Sequence, residues 1–263
     1  AYDKDFSDAI YGVEKDGRYV TESRLKKMLS HEVDLIEKRL SREKHPNKMF
    51  FSYANTVATI DFAKQFKGHG WVGISYQIEP DEDYNEIILH IRFKETDVRL
   101  QQETLGILGV NLIYGAFYKY NDPKRLLRYL YDHLDKDQLE IDTINFSGPR
   151  FADVDNRLMS LQLVKNGMTD AVMFNPDGKN ILPAAILYKK NILAFRGSFR
   201  PVTKVNMDMY EKSLKMFLKE NKVEKENTLV IFEITLSNLR SDGEIDERDF
   251  MDRAELLCGL GQT

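Results

Sequence analysis

Between residues 191 and 217 the chain reads NILAFRGSFRPVTKVNMDMYEKSLKMF, and its centre gathers groups that suit a phosphate. Ser198, Thr203 and Asn206 offer hydroxyl and amide hydrogen bonds, and Arg196, Arg200 and Lys204 offer positive charge. Gly197 can take a backbone conformation closed to other residues, and Pro201 fixes φ, so Gly197–Thr203 has the composition of a turn. Backbone N–H groups of Ser198 and Phe199, and of a helix beginning near Thr203, would face an anion. Transfer of a phosphorus group asks mainly for such positioning and charge neutralisation. The plainer alternative is an ordinary strand-to-helix turn whose basic residues face water.

The run Gly197-Ser-Phe-Arg-Pro-Val-Thr-Lys-Val-Asn206 resembles the first-strand signature of the nicotinate/nicotinamide-nucleotide adenylyltransferases, G-S/T-F-x-P-x-T/H-x-x-H. Along most of its length the chain also looks like a large bacterial family whose members carry automatic labels such as nicotinate-nucleotide adenylyltransferase or TonB-dependent receptor. The adenylyltransferase resemblance implies a Rossmann-like fold that moves AMP from ATP to a pyridine mononucleotide with Mg²⁺. It assigns catalytic roles to Thr203, Asn206 and Arg200, and nucleotide contacts to Gly197, Ser198, Phe199, Lys204, Ser237 and Asn238. The signature's last histidine is Asn206 here, which donates hydrogen bonds but never carries charge. A degenerate ligand-binding or assembly module, or an enzyme acting on another phosphorylated metabolite, fits the same residues.

A second polar set, Glu233, Thr235, Ser237, Asn238 and Arg240, lies at the exit of the apolar run Thr228–Thr235, and is equally readable as a polar loop entering Ser241-Asp-Gly243. If 191–195 and 228–235 are neighbouring parallel strands, both sets lie at their carboxyl ends, where open α/β sheets collect ligands. Other polar clusters have simpler explanations. Asp153-Val-Asp-Asn-Arg157 and Gln101-Gln102-Glu103 each precede a predicted helix and suit capping. His69, in Gly68-His-Gly-Trp71, has no second ligand near it in sequence, the five histidines are scattered, and no metal-ligand set emerges. Neither a G-x-S-x-G elbow nor a lysine P-loop occurs.

The elements that would position these residues show in the apolar periodicity. Leu25, Met28, Leu29, Val33, Ile36 and Leu40 mark a long helix that His45-Pro46 stops. Met49–Ile60 is ambiguous between strand and helix. Trp71–Tyr76 and Glu86–Phe93 read as a hairpin across an acidic loop, with His90 and Arg92 on one side and Ile87, Leu89, Ile91 and Phe93 on the other. Leu105–Tyr118 is apolar nearly all round, which predicts a buried helix whose glycines admit a neighbouring backbone. Asp122-Pro-Lys starts another helix toward Leu134, Leu139–Phe146 alternates as a strand, and Val154–Val164 is helical. Asp170–Phe174 reads as strand and Asn175–Gly178 as a turn. From Asn191 the order strand, helix (Met207, Tyr210, Leu214, Phe217), strand, helix (Glu247–Leu260) predicts crossover units on a parallel sheet, with both strands buried.

The fold expected is therefore α/β: an α+β region of unknown role over 1–184, then the first half of a Rossmann-like nucleotidyltransferase-type domain over 185–263. The abrupt stop after a predicted helix suggests a truncated sheet. With 263 residues, 42% hydrophobic and 30% charged, the chain can bury a sizeable core and is not disordered in composition. A net charge of −4 argues against nucleic acid as a partner, and no run is long and apolar enough for a membrane span. Cys258, the single cysteine, rules out an internal disulfide framework and is compatible with a reducing cytoplasm. A small nucleotide or phosphorylated metabolite is the partner expected.

Overall fold

The computed structural model describes residues 4–12, 20–40, 44–61, 67–240 and 243–261, and mixes helix with strand. Ser241, in the polar loop expected after Arg240, lies outside them. The chain divides into two compact units, Ala1–Ala171 and Val172–Thr263, a division earlier than the break at 184/185 read from the sequence.

The N-terminal unit is built on four antiparallel strands in sequence order: β1 (Phe51–Ala58), β2 (His69–Tyr76), β3 (Asn85–Phe93) and β4 (Leu139–Ser147). The ambiguous segment at 49–60 is thus the edge strand β1. Helix α1 (Lys4–Tyr11) meets α2 (Glu22–Leu40), where the Tyr11 hydroxyl donates to Glu32. The apolar stripe of α2 covers one face of the sheet. A Cβ on Gly73 would stand 3.0 Å from Leu25 and 3.1 Å from Leu29, so only glycine lets the helix come this near.

The opposite face carries α3 (Val98–Tyr118), with α4 (Pro123–Tyr129) against α3 and α5 (Asn156–Lys165) against β4. Helix α3 begins seven residues before the predicted start, because the Asp97 carboxylate accepts from the N–H groups of Arg99 and Leu100. Its burial corrects the sequence reading. Leu108, Leu112 and Ala116 are fully enclosed, but Val110 is 66% exposed and Tyr114 and Tyr118 also reach solvent. The glycines do not admit a backbone either. A Cβ on Gly109 would meet the Tyr53 hydroxyl at 2.6 Å, one on Gly115 would press on Leu126, and one on Gly106 would meet nothing. Asp122 and Asp155 cap α4 and α5, as the sequence suggests.

The C-terminal unit opens with a short hairpin, β5 (Met173–Phe174) with β6 (Asn180–Ile181), turning through Asn175–Gly178. After α6 (Pro183–Leu187), strand β7 (Asn191–Arg196) pairs in parallel with β8 (Thr228–Glu233), and α7 (Lys204–Phe217) connects them. Then come α8 (Leu236–Leu239) and α9 (Glu247–Gly259). The two parallel strands form a sheet by themselves among the described residues. They are not the buried strands expected: β7 alternates between half-buried and exposed positions, and of the two strands only Phe232 is buried. A parallel pair becomes enclosed only when both faces are covered.

Candidate functional site

Every residue of the Gly197–Asn206 turn can be placed, and most of them hold the turn together. Thr203 is the N-cap of α7. Its hydroxyl accepts from the Asn206 N–H at 3.3 Å, while Asn206 Oδ1 accepts from the Thr203 N–H at 2.9 Å and from the Thr203 hydroxyl at 2.8 Å. This reciprocal cap satisfies helix-end groups that otherwise lack partners. An amide at Asn206 closes it as a Glu or Gln would at that position.

Phe199, expected to contact a nucleotide through its backbone, buries its side chain as the plug of the turn. It is 2% exposed, lies with Phe232 and Leu257 in the core of this unit, and takes φ = 48°. The left-handed conformation therefore falls on Phe199 and not on Gly197. Gly197 serves by close approach, since a Cβ there would lie 3.0 Å from the Phe199 ring.

The basic residues are also engaged. Arg196 makes a two-pronged pair with Glu233 at 3.0 Å, and Arg200 Nε meets Asp249 Oδ1 at 3.0 Å. Sequence reasoning missed Arg253, on α9. It is 3% exposed, bonds Asp249, and donates to the Ser198 carbonyl at 3.0 Å and toward the Asn238 carbonyl at 3.5 Å. Ser198 and Asn238 thus meet across the carboxyl ends of β7 and β8, but a guanidinium of the chain itself joins them. Ser237 is exposed on α8, whose N-cap Thr235 accepts from the Asn238 N–H.

Lys204 remains exposed at the start of α7. It lines an open cleft of about 450 Å³ together with Val202, Thr203, Met207, Asp208, Glu211, Leu256 and Leu260. Among the described residues, no cluster of three or more His, Cys, Asp or Glu could hold a metal ion.

The N-terminal unit holds a second constellation, absent from the sequence reading. His90 is 2% exposed; its Nδ1 lies 2.7 Å from Asp142 Oδ1, and its Nε2 lies 3.2 Å from Nδ1 of the half-buried His69. Trp71 sets its ring edge-on against His90, with centroids 4.9 Å apart. The register shift between His90 and Ile91 makes this set possible. Ile141 faces Ile91 and Thr143 faces His90, so Asp142 has no Cα partner and both Asp142 and Thr143 stand on the His90 side. The Thr143 hydroxyl there is buried, with no hydrogen-bond partner among the described residues. Burial, with repulsion by His90 and by the neighbouring Arg92, holds the His69 imidazolium below its ordinary pKa. Alternation along 86–93 already put His90 and Arg92 on one face. No signal in the sequence announced the bulge that brings Asp142 to them.

No known family model matches the chain, and none of the curated proteins or solved structures compared with it is similar enough to count as a match.

Proposed function

We propose that the C-terminal unit is a Rossmann-like, nucleotidyltransferase-type module that binds a nucleotide or another phosphorylated metabolite without transferring an adenylyl group. The cleft at the start of α7 carries this reading. Val202, Met207, Leu256 and Leu260 give an apolar wall for a base, and Lys204 stands at the same opening for a phosphate. Of the first N–H groups of α7, Thr203 occupies those of Asn206 and Met207 and leaves those of Lys204 and Val205 for an anion. The volume lies within the range of small-molecule sites. Glu211 on the rim favours a monophosphate over a triphosphate, because each further negative charge would be repelled, while Asp208 is already paired with Lys212 at 2.6 Å.

The resemblance implies ATP and Mg²⁺, with Thr203, Asn206 and Arg200 acting on them. These residues fit that role poorly. Thr203 and Asn206 satisfy one another, and Arg200 shares Asp249 with Arg253. Adenylyl transfer is therefore the second reading, supported by the parallel β7–α7–β8 arrangement.

Calorimetric titration of the chain with AMP, ATP and nicotinate mononucleotide separates the two. The expected result is binding of a monophosphate, weakened about ten-fold or more by Lys204→Ala through loss of a charge-assisted contact, with no ATP turnover. No heat from any of the three, or the same affinity in Lys204→Ala, refutes the binding reading. ATP turnover that Asn206→His alters would establish the transfer reading.

A further inference from the structure

We propose that Asp142, His90 and His69 form a proton relay whose outer end, Nε2 of His69, accepts a proton from the hydroxyl of a small molecule that Arg92 holds by an oxyanion. The direction of each hydrogen bond follows from the groups involved. An ionised carboxylate only accepts, so Asp142 accepts a hydrogen bond from the Nδ1–H of His90. With both rings neutral, His90 Nε2 is then a lone pair and accepts from His69 Nδ1. That leaves the second lone pair of the pair of rings on Nε2 of His69. His90 and Asp142 are buried, so they act as positioning groups, and only the half-buried His69 can meet a ligand.

Arg92 gives the ligand its class. It is the cross-strand partner of His69, it is exposed, and it forms no ion pair among the described residues. A guanidinium so placed recognises a phosphate or carboxylate group. The ligand hydroxyl donates its proton in a hydrogen bond to His69 Nε2, and the oxygen gains electron density as that proton shifts toward the ring. The positive charge this builds on the ring is stabilised through His90 by Asp142, and no electron changes hands. Lowered basicity of His69 keeps its lone pair available near neutral pH. Among the described residues, the charged and titratable groups facing it are His90 and Arg92 from β3 and Asp142 from β4.

Nitrogen-15 NMR of the imidazole rings in the whole chain tests this, with inorganic phosphate and acetate as separate probes. Without an anion, both rings should carry their proton on Nδ1. Asp142→Asn offers an amide that can donate as well as accept, and should change the tautomer of His90 and, through it, of His69. Adding an anion should make His69 titrate at a higher pH. A response to phosphate alone assigns a phosphorylated ligand, and a response to acetate assigns a carboxylate. Arg92→Ala, at an exposed site, should weaken the anion about ten- to a hundred-fold. The proposal is overturned if neither anion moves His69, if Arg92→Ala leaves the response intact, or if Asp142→Asn alters His90 but not His69. The last outcome would leave the three residues as a structural hydrogen-bonded cluster.

Discussion

Replacing Arg253 by methionine should destabilise the C-terminal unit by about 2–4 kcal/mol, because it removes the group that ties the ends of β7 and β8. Methionine keeps most of the side chain's volume and polarisability, so the change reports on hydrogen bonds and charge more than on packing. Arg253 is 3% exposed and donates to the Ser198 and Asn238 carbonyls and to Asp249. Asp249 keeps its pair with Arg200 in the variant, which limits the loss on that side. Leaving a buried acceptor without a donor costs about 1–3 kcal/mol, and breaking a buried ion pair about 3–5. The bond to Asn238 is long, Nε of Arg253 has no partner among the described residues, and Asp249 keeps Arg200, so the two costs do not add in full and the loss stays near about 2–4 kcal/mol. Urea unfolding followed by near-ultraviolet circular dichroism should show a midpoint lower by roughly 1–2 M for the affected transition, given a slope of about 1–3 kcal/mol per molar. The exposed pair Arg196–Glu233 provides the control, since Arg196→Met should change stability by less than about 1 kcal/mol. Equal effects from the two variants would refute the claim that Arg253 clamps the crevice.

Two glycines of α3 should respond in opposite directions. Gly106→Ala, in open space, should stabilise by about 0.5–1 kcal/mol through helix propensity, whereas Gly109→Ala should cost about 1–3 kcal/mol because its methyl would meet the Tyr53 hydroxyl; thermal melts read both. Thr203→Ala should lower stability by about 0.5–2 kcal/mol by removing the cap of α7. If the hydroxyl binds only a ligand, the apo protein would melt unchanged. His69 binds a proton less readily in the folded protein than at its ordinary pKa of 6.5, so the unfolded chain takes up more protons once the pH falls below that value. Stability should therefore drop as the pH is lowered through 6.5 and stay level above it, and the drop should be smaller in His69→Gln. Denaturant midpoints measured across that range check the sign.

The local signals in the sequence were physical and readable. Capping side chains at Asp122 and Asp155, alternation in 86–93 and 139–146, and the stripe of α2 each act over a few residues. The parallel arrangement of 191–196 and 228–233 about a helix could also be read, because buried-strand and helix patterns alternate there. Burial was harder to read. The composition of α3 is apolar all round, yet how much of it is enclosed depends on which neighbours arrive, and only one side receives the sheet. At the turn, residue types suited to phosphate chemistry identified Thr203, Asn206 and Arg200, but not that their hydrogen bonds and charges would be spent on each other and on Asp249. Arg253 lies 55 residues beyond Ser198 and carries no local mark of that contact. Residue types and local periodicity thus follow from the chain alone. The Asp142–His90–His69 set required tertiary structure, because one unpaired residue in β4 changes which side chains share a face, and that register is fixed only when the strands pair.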